Sequence, residues 1–273
     1  MQVKSKVIDQ LKNLALVLYA IFALFPLIWL LVISFKHDRE MYNTVFIFTP
    51  TLENYKVLFS NGDFFGYFAN NIIVSVGAIL LSIIVGVPAA YALARYDFKG
   101  KESIAFQFLS FRFAPEILVV LPIFLIYQQL GIYDTHFGLI WIFQVISLPL
   151  LIWILRGYFE DISVEMEHAA RLDGYSWWQV FIKMIMPLIK PGLVASSLLS
   201  FIFVWNNFTF SLLLAGQDVT TTTVAMLKYV SSDTVHYGQM AAAVLISSLP
   251  IIILALAIQK HLVRGLSMGA VKG

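Results

Sequence analysis

The chain contains no cysteine. That absence removes disulfides, thiol nucleophiles and thiolate metal sites together. Charge is scarce too: Asp, Glu, Lys and Arg make up 12% of the 273 residues, against about 25% in soluble domains. A net charge of +2 is too small to argue for nucleic acid as a partner. There is no G-x-x-x-x-G-K-[ST] run, because Gly100-Lys101 lacks the upstream glycine, so the chain does not cradle a nucleotide through a P-loop. No HExxH, nucleophile elbow or His-rich ligand spacing is present, which argues against an enzyme and leaves no cofactor bound by this chain. An internal repeat of the kind many secondary carriers show is also missing.

What the chain has in abundance is apolar sequence: 60% hydrophobic residues and a mean hydropathy of +0.83. Six runs approach the ~20 residues needed to cross a bilayer, at about 14–33, 70–94, 104–127, 137–155, 192–214 and 240–258. The first, Leu14 to Ile33, exceeds a signal-peptide core and lacks a small-x-small cleavage site after it, so it reads as a retained span. The expected fold is an all-α integral membrane bundle of six transmembrane helices in a single domain, 1–273. Thirteen of the 18 Lys and Arg fall on the side that holds both termini, four on the other, and Arg112 lies inside a span. Positive charge marks the cytoplasmic side. Both termini are therefore expected in the cytoplasm, with the chain multi-pass in the cell membrane.

Pro26, Pro88, Pro115, Pro122, Pro149 and Pro250 fall within spans. Each removes a backbone donor, and packed neighbours must satisfy the freed carbonyls, which favours a bundle over isolated anchors. Small residues of the second run (Ser75, Gly77, Ala78, Ser82, Gly86, Ala89, Ala90) and Ala241 to Ala243 of the sixth permit close helix approach. The segments on the other side are about 34–69, with a turn signal at Asn61-Gly62-Asp63, and about 215–239, with Thr220 to Thr223, Asp233 and His236. Either docks an external partner or connects spans. His236 has no companion at a metal-ligand spacing and reads as a surface residue.

Ionisable groups within spans are costly and by default functional. Arg112 and Glu116 lie four apart, hence on one helical face of the third run, where they form either a self-satisfied ion pair or a substrate contact. Asn206 and Asn207 in the fifth run stand beside Trp205 and Phe208. Adjacent asparagines point about 100° apart, so one is expected to face a pathway while the other bonds a neighbouring helix. An aromatic ring next to an amide suits a polyhydroxylated ligand, and equally suits helix packing.

One charged, helix-competent stretch stands between apolar runs, at 163–191 on the cytoplasmic side. Glu165 and Glu167 belong to a first helical turn, Ala169, Ala170, Arg171 and Leu172 are good helix formers, and Gly174 ends that helix. Ser176 and Gln179 have capping-box spacing, which starts a second helix carrying Trp177, Trp178, Phe181, Ile182 and Ile185. Pro187 and Pro191 are expected to stop it.

This stretch resembles the EAA-x3-G-x9-I-x-L-P signature of bacterial importer permeases. His168-Ala169-Ala170, Gly174 and Met184-Ile185-Met186-Pro187 keep its spacing throughout, with His168 in place of the glutamate. Ala90 to Arg95, Leu130 to Thr135, Leu172-Asp173-Gly174, Trp205-Asn206 and the tail Gly265 to Gly273 look like the carbohydrate-uptake branch of ATP-binding-cassette (ABC) importers, in particular the smaller permease subunit of the maltose-transporter type. The resemblance covers nearly the whole chain. It implies a sugar importer's permease that lines half of the pathway, whose 163–191 segment couples to a cytoplasmic ATPase through Glu165, Glu167, His168, Ala169, Ala170, Arg171, Asp173 and Gly174. Glu165, Glu167 and Arg171 would form its polar face, Trp177, Phe181 and Ile185 its apolar one, and Glu167 would provide the ionic contact that the family's glutamate makes from position 168. The tail, 259–273, would touch the ATPase through Gly269, Lys272 and Gly273. Implied partners are a second permease, two ATPase copies that bind ATP and Mg, an extracytoplasmic sugar-binding protein and the lipid bilayer. A stand-alone channel or carrier, or a membrane-embedded enzyme, is the alternative.

Overall fold

The computed structural model describes residues 2–42, 44, 46–60, 63–230 and 235–269, with the backbone alone for 2–8 and 260–269. Asn61-Gly62, Asp233 and the tail residues Lys272 and Gly273 lie outside the described residues. Among the described residues the regular structure is helical, apart from one isolated bridge between Val230 and Val235.

The six apolar runs fall on four long helices and two bent pairs, and the fifth run, expected at 192–214, leaves its helix at Trp205. The long helices are α1 (Gln2–Ser34), α3 (Asp63–Arg95), the stretch Trp177–Trp205, and α13 (Tyr237–Gly269). The third run is α4 (Lys101–Ser110), a 3-10 turn Phe111–Phe113 and α5 (Glu116–Leu130), bent by 94°. The fourth is α6 (His136–Ile142) and α7 (Gln144–Glu160), bent by 42°. Pro26, Pro88, Pro122, Pro149 and Pro250 lie inside helices that continue past them, whereas Pro115 marks the sharp break. Two compact units emerge: Met1–Phe65 with Met226–Ser248, and Gly66–Ala225 with Leu249–Gly273.

In the first unit, no part of the apolar window of α1 is buried among the described residues. Its last turn is tied down by α2 (Glu53–Ser60): the Asn54 side chain donates to the carbonyls of Ser34 and Lys36, each at 2.9 Å. His37 meets Glu53 at 3.4 Å and His236 meets Asp38 at 3.3 Å, so His236 is paired on the surface.

The second unit holds two apolar clusters. One gathers Val74, Ala78, Val120, Tyr127, Leu139, Phe143, Phe201, Trp205 and Phe210; the other gathers Val87, Ala90, Tyr91, Leu151, Leu155, Phe159, Phe181, Ile185 and Ile189. α3 supplies residues to both. It approaches α7 closely at Gly86, where a Cβ would stand 2.7 Å from the Leu151 side chain, inside any real contact distance. A buried polar trio holds the level of the α6–α7 bend: Ser82 bonds Gln144 at 2.7 Å and Ser147 at 2.6 Å, while the Gln144 amide donates to the Ala78 and Ile140 carbonyls. Satisfying every member of such a group is what makes it tolerable away from water.

Candidate functional site

Ser163, in an extended conformation, leads into α8 (Val164–Leu172), whose first turn carries Glu165 and Glu167 and whose last carries Arg171. That order complements the helix dipole. Gly174 ends the helix at φ +91°, a conformation that a Cβ penalises. The Tyr175 N–H donates to the Ala170 carbonyl at 3.2 Å and the Gly174 N–H to Arg171 at 3.1 Å, a Schellman closure that satisfies the free carbonyls. Ser176 then opens α9 (Trp177–Val180) through the expected capping box: the Gln179 N–H donates to Ser176 Oγ and the Ser176 N–H to Gln179 Oε1, at 3.3 and 2.9 Å.

The expected stop at Pro187 and Pro191 does not occur. Phe181–Ile185 form a π-helical turn that runs into α10 (Met186–Trp205), with Pro187 in its first turn and Pro191 inside it. Proline breaks a helix by lacking a donor and crowding the carbonyl four residues back. The wider turn relieves that crowding, and in a first turn the missing donor goes unused. The second helix of the segment is therefore the start of a 29-residue helix, Trp177–Trp205, rather than a separate piece.

Burial sorts the segment's residues. Glu165, His168, Ala169, Arg171, Leu172, Asp173 and Gly174 are exposed. The Ser163 hydroxyl donates to the Glu165 carboxylate and holds it below the usual carboxylate range. Ala170, Phe181 and Ile185 are buried with Tyr91 and Phe159. Trp177 keeps a partly exposed ring 5.7 Å from Tyr91.

Glu167, expected on the outward polar face, points inward and is 8% exposed. Its carboxylate accepts from Tyr91 Oη at 2.7 Å and from Arg95 Nε at 2.5 Å, while Arg95 Nη2 donates to the Ile162 carbonyl at 2.8 Å. Position 167 lies one residue from 168 and three from 170, so α8 turns it toward the same side as Ala170 and away from His168. The sequence signal for this pairing is the spacing of Tyr91 and Arg95, four apart on α3.

A second site forms where the third run breaks. Ala114 is extended, with ψ 124°, as a residue before proline is biased to be. Arg112 and Glu116 consequently do not share one helical face, and no ion pair among the described residues joins them. The Arg112 guanidinium lies 4.4 Å over the Phe203 ring. The Glu116 carboxylate accepts from Asn207 Nδ2 at 2.9 and 3.1 Å. Asn207 Oδ1 in turn accepts from the Phe210 N–H at 3.0 Å, capping α11 (Thr209–Leu214) where the fifth run is interrupted.

Arg112, Glu116, Asn206, Asn207 and Phe208 line one cavity of about 690 Å³, together with the rings of Phe111, Phe203 and Phe210. Both asparagines line it, and they divide as expected in one respect, since buried Asn207 is the one that bonds a neighbouring helix while Asn206 is exposed. Asn207 bonds across to α5, and the Asn206 amide bonds back to the Ile202 carbonyl of its own helix at 2.8 Å. Trp205 does not line the cavity. It is 2% exposed, stacked on Phe201 and edge-on to Phe68 within the core. The residue three before Asn206, Phe203, provides the ring instead.

Asp134 belongs to the Leu130 to Thr135 stretch, whose residue pattern signals no role for it. It adopts a left-handed conformation, φ 54°, and its carboxylate accepts from the N–H groups of Gly216, Asp218 and Val219 at 2.7, 3.1 and 2.9 Å. Burial alone raises this carboxyl, but the backbone donors of Asp218, Gly216, Val219 and Gln217 outweigh it and hold it below its ordinary value. The side chain of Asn70, bonded to His136 Nε2 at 2.9 Å, donates to the Asp218 and Thr220 carbonyls of the same loop.

Residues 9–268 match the family model described as "Binding-protein-dependent transport system inner membrane component". The chain is 36% identical to the probable ABC transporter permease protein y4oR of Sinorhizobium fredii, covering 91% of this chain and 90% of that one. It is 35% identical to the trehalose transport system permease protein SugB of Mycobacterium tuberculosis, over 92% and 93%. A crystal structure of a bacterial ABC transporter that imports the acidic polysaccharide alginate aligns with a TM-score of 0.78 and 27% identity, covering 94% of this chain and 97% of its own. A match over nearly the full length, by sequence and by fold, places this chain in the family of binding-protein-dependent transport system inner membrane components.

Proposed function

We propose that this chain is one of two permease subunits of an ATP-driven sugar importer and that the 163–191 segment is its coupling element. The observation that carries the reading is the two-sidedness of that segment. Glu165, His168, Arg171, Leu172 and Asp173 are exposed on it, while Glu167, Ala170, Phe181 and Ile185 anchor it into the bundle. A lever needs both a face for a partner and a rigid seat. Relatives named as trehalose and maltose permeases, and a fold shared with an alginate importer, support sugar as the cargo.

In this reading six spans cross the cell membrane with both termini in the cytoplasm, as the Lys/Arg asymmetry favours. The segment docks on a cytoplasmic ATPase present in two copies, which hold ATP and Mg; this chain contributes no catalytic group. The tail from residue 259 to Gly269, Lys272 and Gly273 runs against the ATPase, and an extracytoplasmic binding protein delivers the sugar. The cavity lined by Arg112, Glu116, Asn206, Asn207 and Phe208 belongs to the sugar pathway, with rings for stacking on C–H faces and amides and charges for hydroxyls.

The test is reconstitution of the chain with its partners in vesicles. Uptake of a labelled disaccharide is expected only with hydrolysable ATP, ATPase and binding protein all present. Equilibration of solute by this chain alone, or uptake without hydrolysis, would overturn the reading.

A further inference from the structure

The cluster at the end of α3 has a geometry that the outward face of the coupling segment does not require. Tyr91 and Arg95, four residues apart, stand on one face of α3. They close on a single carboxylate, that of Glu167, at 2.7 and 2.5 Å, and Arg95 reaches the Ile162 carbonyl just before α8. The Arg95 and Glu167 side chains are 7% and 10% exposed. The Tyr91 ring meets Phe159 at 5.4 Å, Trp177 at 5.7 Å and Phe181 at 5.0 Å, edge to face in each case. One helix end therefore grips α7, the loop before α8, α8 itself and the start of α9.

The kinds of contact differ in what they transmit. Apolar packing of Phe181 and Ile185 is non-directional, so it seats the segment without fixing a bond angle. Charge-assisted hydrogen bonds to a buried carboxylate fix distance and angle together. α3 is 33 residues long and ends at this grip, and its Val74 and Ala78 belong to the same buried cluster as Phe210, which lines the 690 Å³ cavity. A displacement imposed on α8 thus has a stiff route to the cavity wall.

We infer that Glu167 is a positioning residue: it acts through Tyr91 and Arg95 to pass movement of the 163–191 segment into α3, and it does not contact the ATPase. The inference rests on the reading of that segment as the ATPase-docking element. Glu167→Gln removes the charge, and Tyr91→Phe removes one hydrogen bond while keeping the ring.

The complete assembly, in vesicles, is assayed for ATP hydrolysis and solute uptake on the same sample. Both variants are expected to hydrolyse ATP within about twofold of the unmodified protein while moving less solute per ATP: about tenfold less for Glu167→Gln and about threefold less for Tyr91→Phe, the scale of a charged and a single hydrogen bond. Uptake and hydrolysis falling in parallel, or an unchanged ratio in both variants, would overturn the inference. If Glu167→Gln does not assemble, Tyr91→Phe decides alone.

Docking itself is read separately. The sequence has no cysteine, so Leu172→Cys at an exposed position accepts a photoreactive label as the chain's single thiol. Failure of that label to capture the ATPase subunit sinks the docking reading. Capture with an unchanged uptake-to-hydrolysis ratio sinks only the role given to Glu167.

Discussion

Arg112 with Glu116 and Arg95 with Glu167, two of the arginine–glutamate combinations of the second unit, behave in opposite ways. Arg112 and Glu116 are four apart in sequence yet remain unpaired with each other. Arg112 lies over a ring, Glu116 is held by an amide, and both face a cavity. Arg95 and Glu167 are 72 positions apart and meet at 2.5 Å in a nearly dry setting. Local spacing counts only if the helix carrying it is continuous, and Pro115 breaks the first while folding assembles the second. The unmade pair leaves both charged residues lining a cavity; the made one closes a buried joint.

The sharpest way to break this contrast is Arg95→Ala. It leaves the Glu167 carboxylate buried beside Tyr91 without its cation, which is expected to cost about 3–5 kcal/mol, seen as a large fall in the detergent-solubilised melting temperature. Arg112→Ala is expected to cost less than about 1 kcal/mol, near the size of a partly exposed cation–π contact. Equal losses would mean that Arg112 is also a structural ion-pair member. Loss of uptake with little loss of stability is the expected signature at 112.

Asp134 sharpens the contrast from another side, because its carboxylate is held by backbone donors with no cation at all. Asp134→Asn is expected to cost about 1 kcal/mol, since N–H groups that are at most part-buried exchange a charged acceptor for a neutral one. A carboxyl held low in the folded state contributes stability that is present above its unfolded value, near the ordinary 3.8, and lost as pH falls through the lower native value. The melting-temperature gap between the unmodified protein and Asp134→Asn is therefore expected to stay constant from about pH 7 to about 5 and to close below about 4. A gap that is flat throughout would remove the carboxylate's charge from the account.

The smallest effect belongs to Pro187→Ala. A proline in the first turn of α10 occupies a site where its missing donor is not needed, so a change within about 0.5 kcal/mol is expected. A large loss would show that Pro187 defines the π turn before it.

Much of this molecule is legible in its residues because the signals are local. Apolar runs of membrane length, the Gly174 closure and the Ser176–Gln179 capping box follow from hydropathy and hydrogen bonds within a few residues. The convergence of Arg112, Glu116, Asn206, Asn207 and Phe208 is legible only in outline: residue type marks them as costly in an apolar span, and the fold brings them together. Trp205 escapes such reasoning because an indole beside two amides gives no indication of which side of the helix meets the core. Pro187 escapes it for a related reason, since a proline stops a helix or sits harmlessly in a first turn according to the turn before it.

Composition and periodicity by themselves determined that this chain is an all-helical membrane protein with one charged segment broken at Gly174 and restarted at Ser176, because burial of apolar surface and capping of helix ends depend on neighbours in sequence. Which way each polar side chain faces was decided by tertiary structure alone. Glu167 and His168 are adjacent and both polar. Only the arrival of Tyr91 and Arg95 from α3 turns one into a buried anchor and leaves the other exposed.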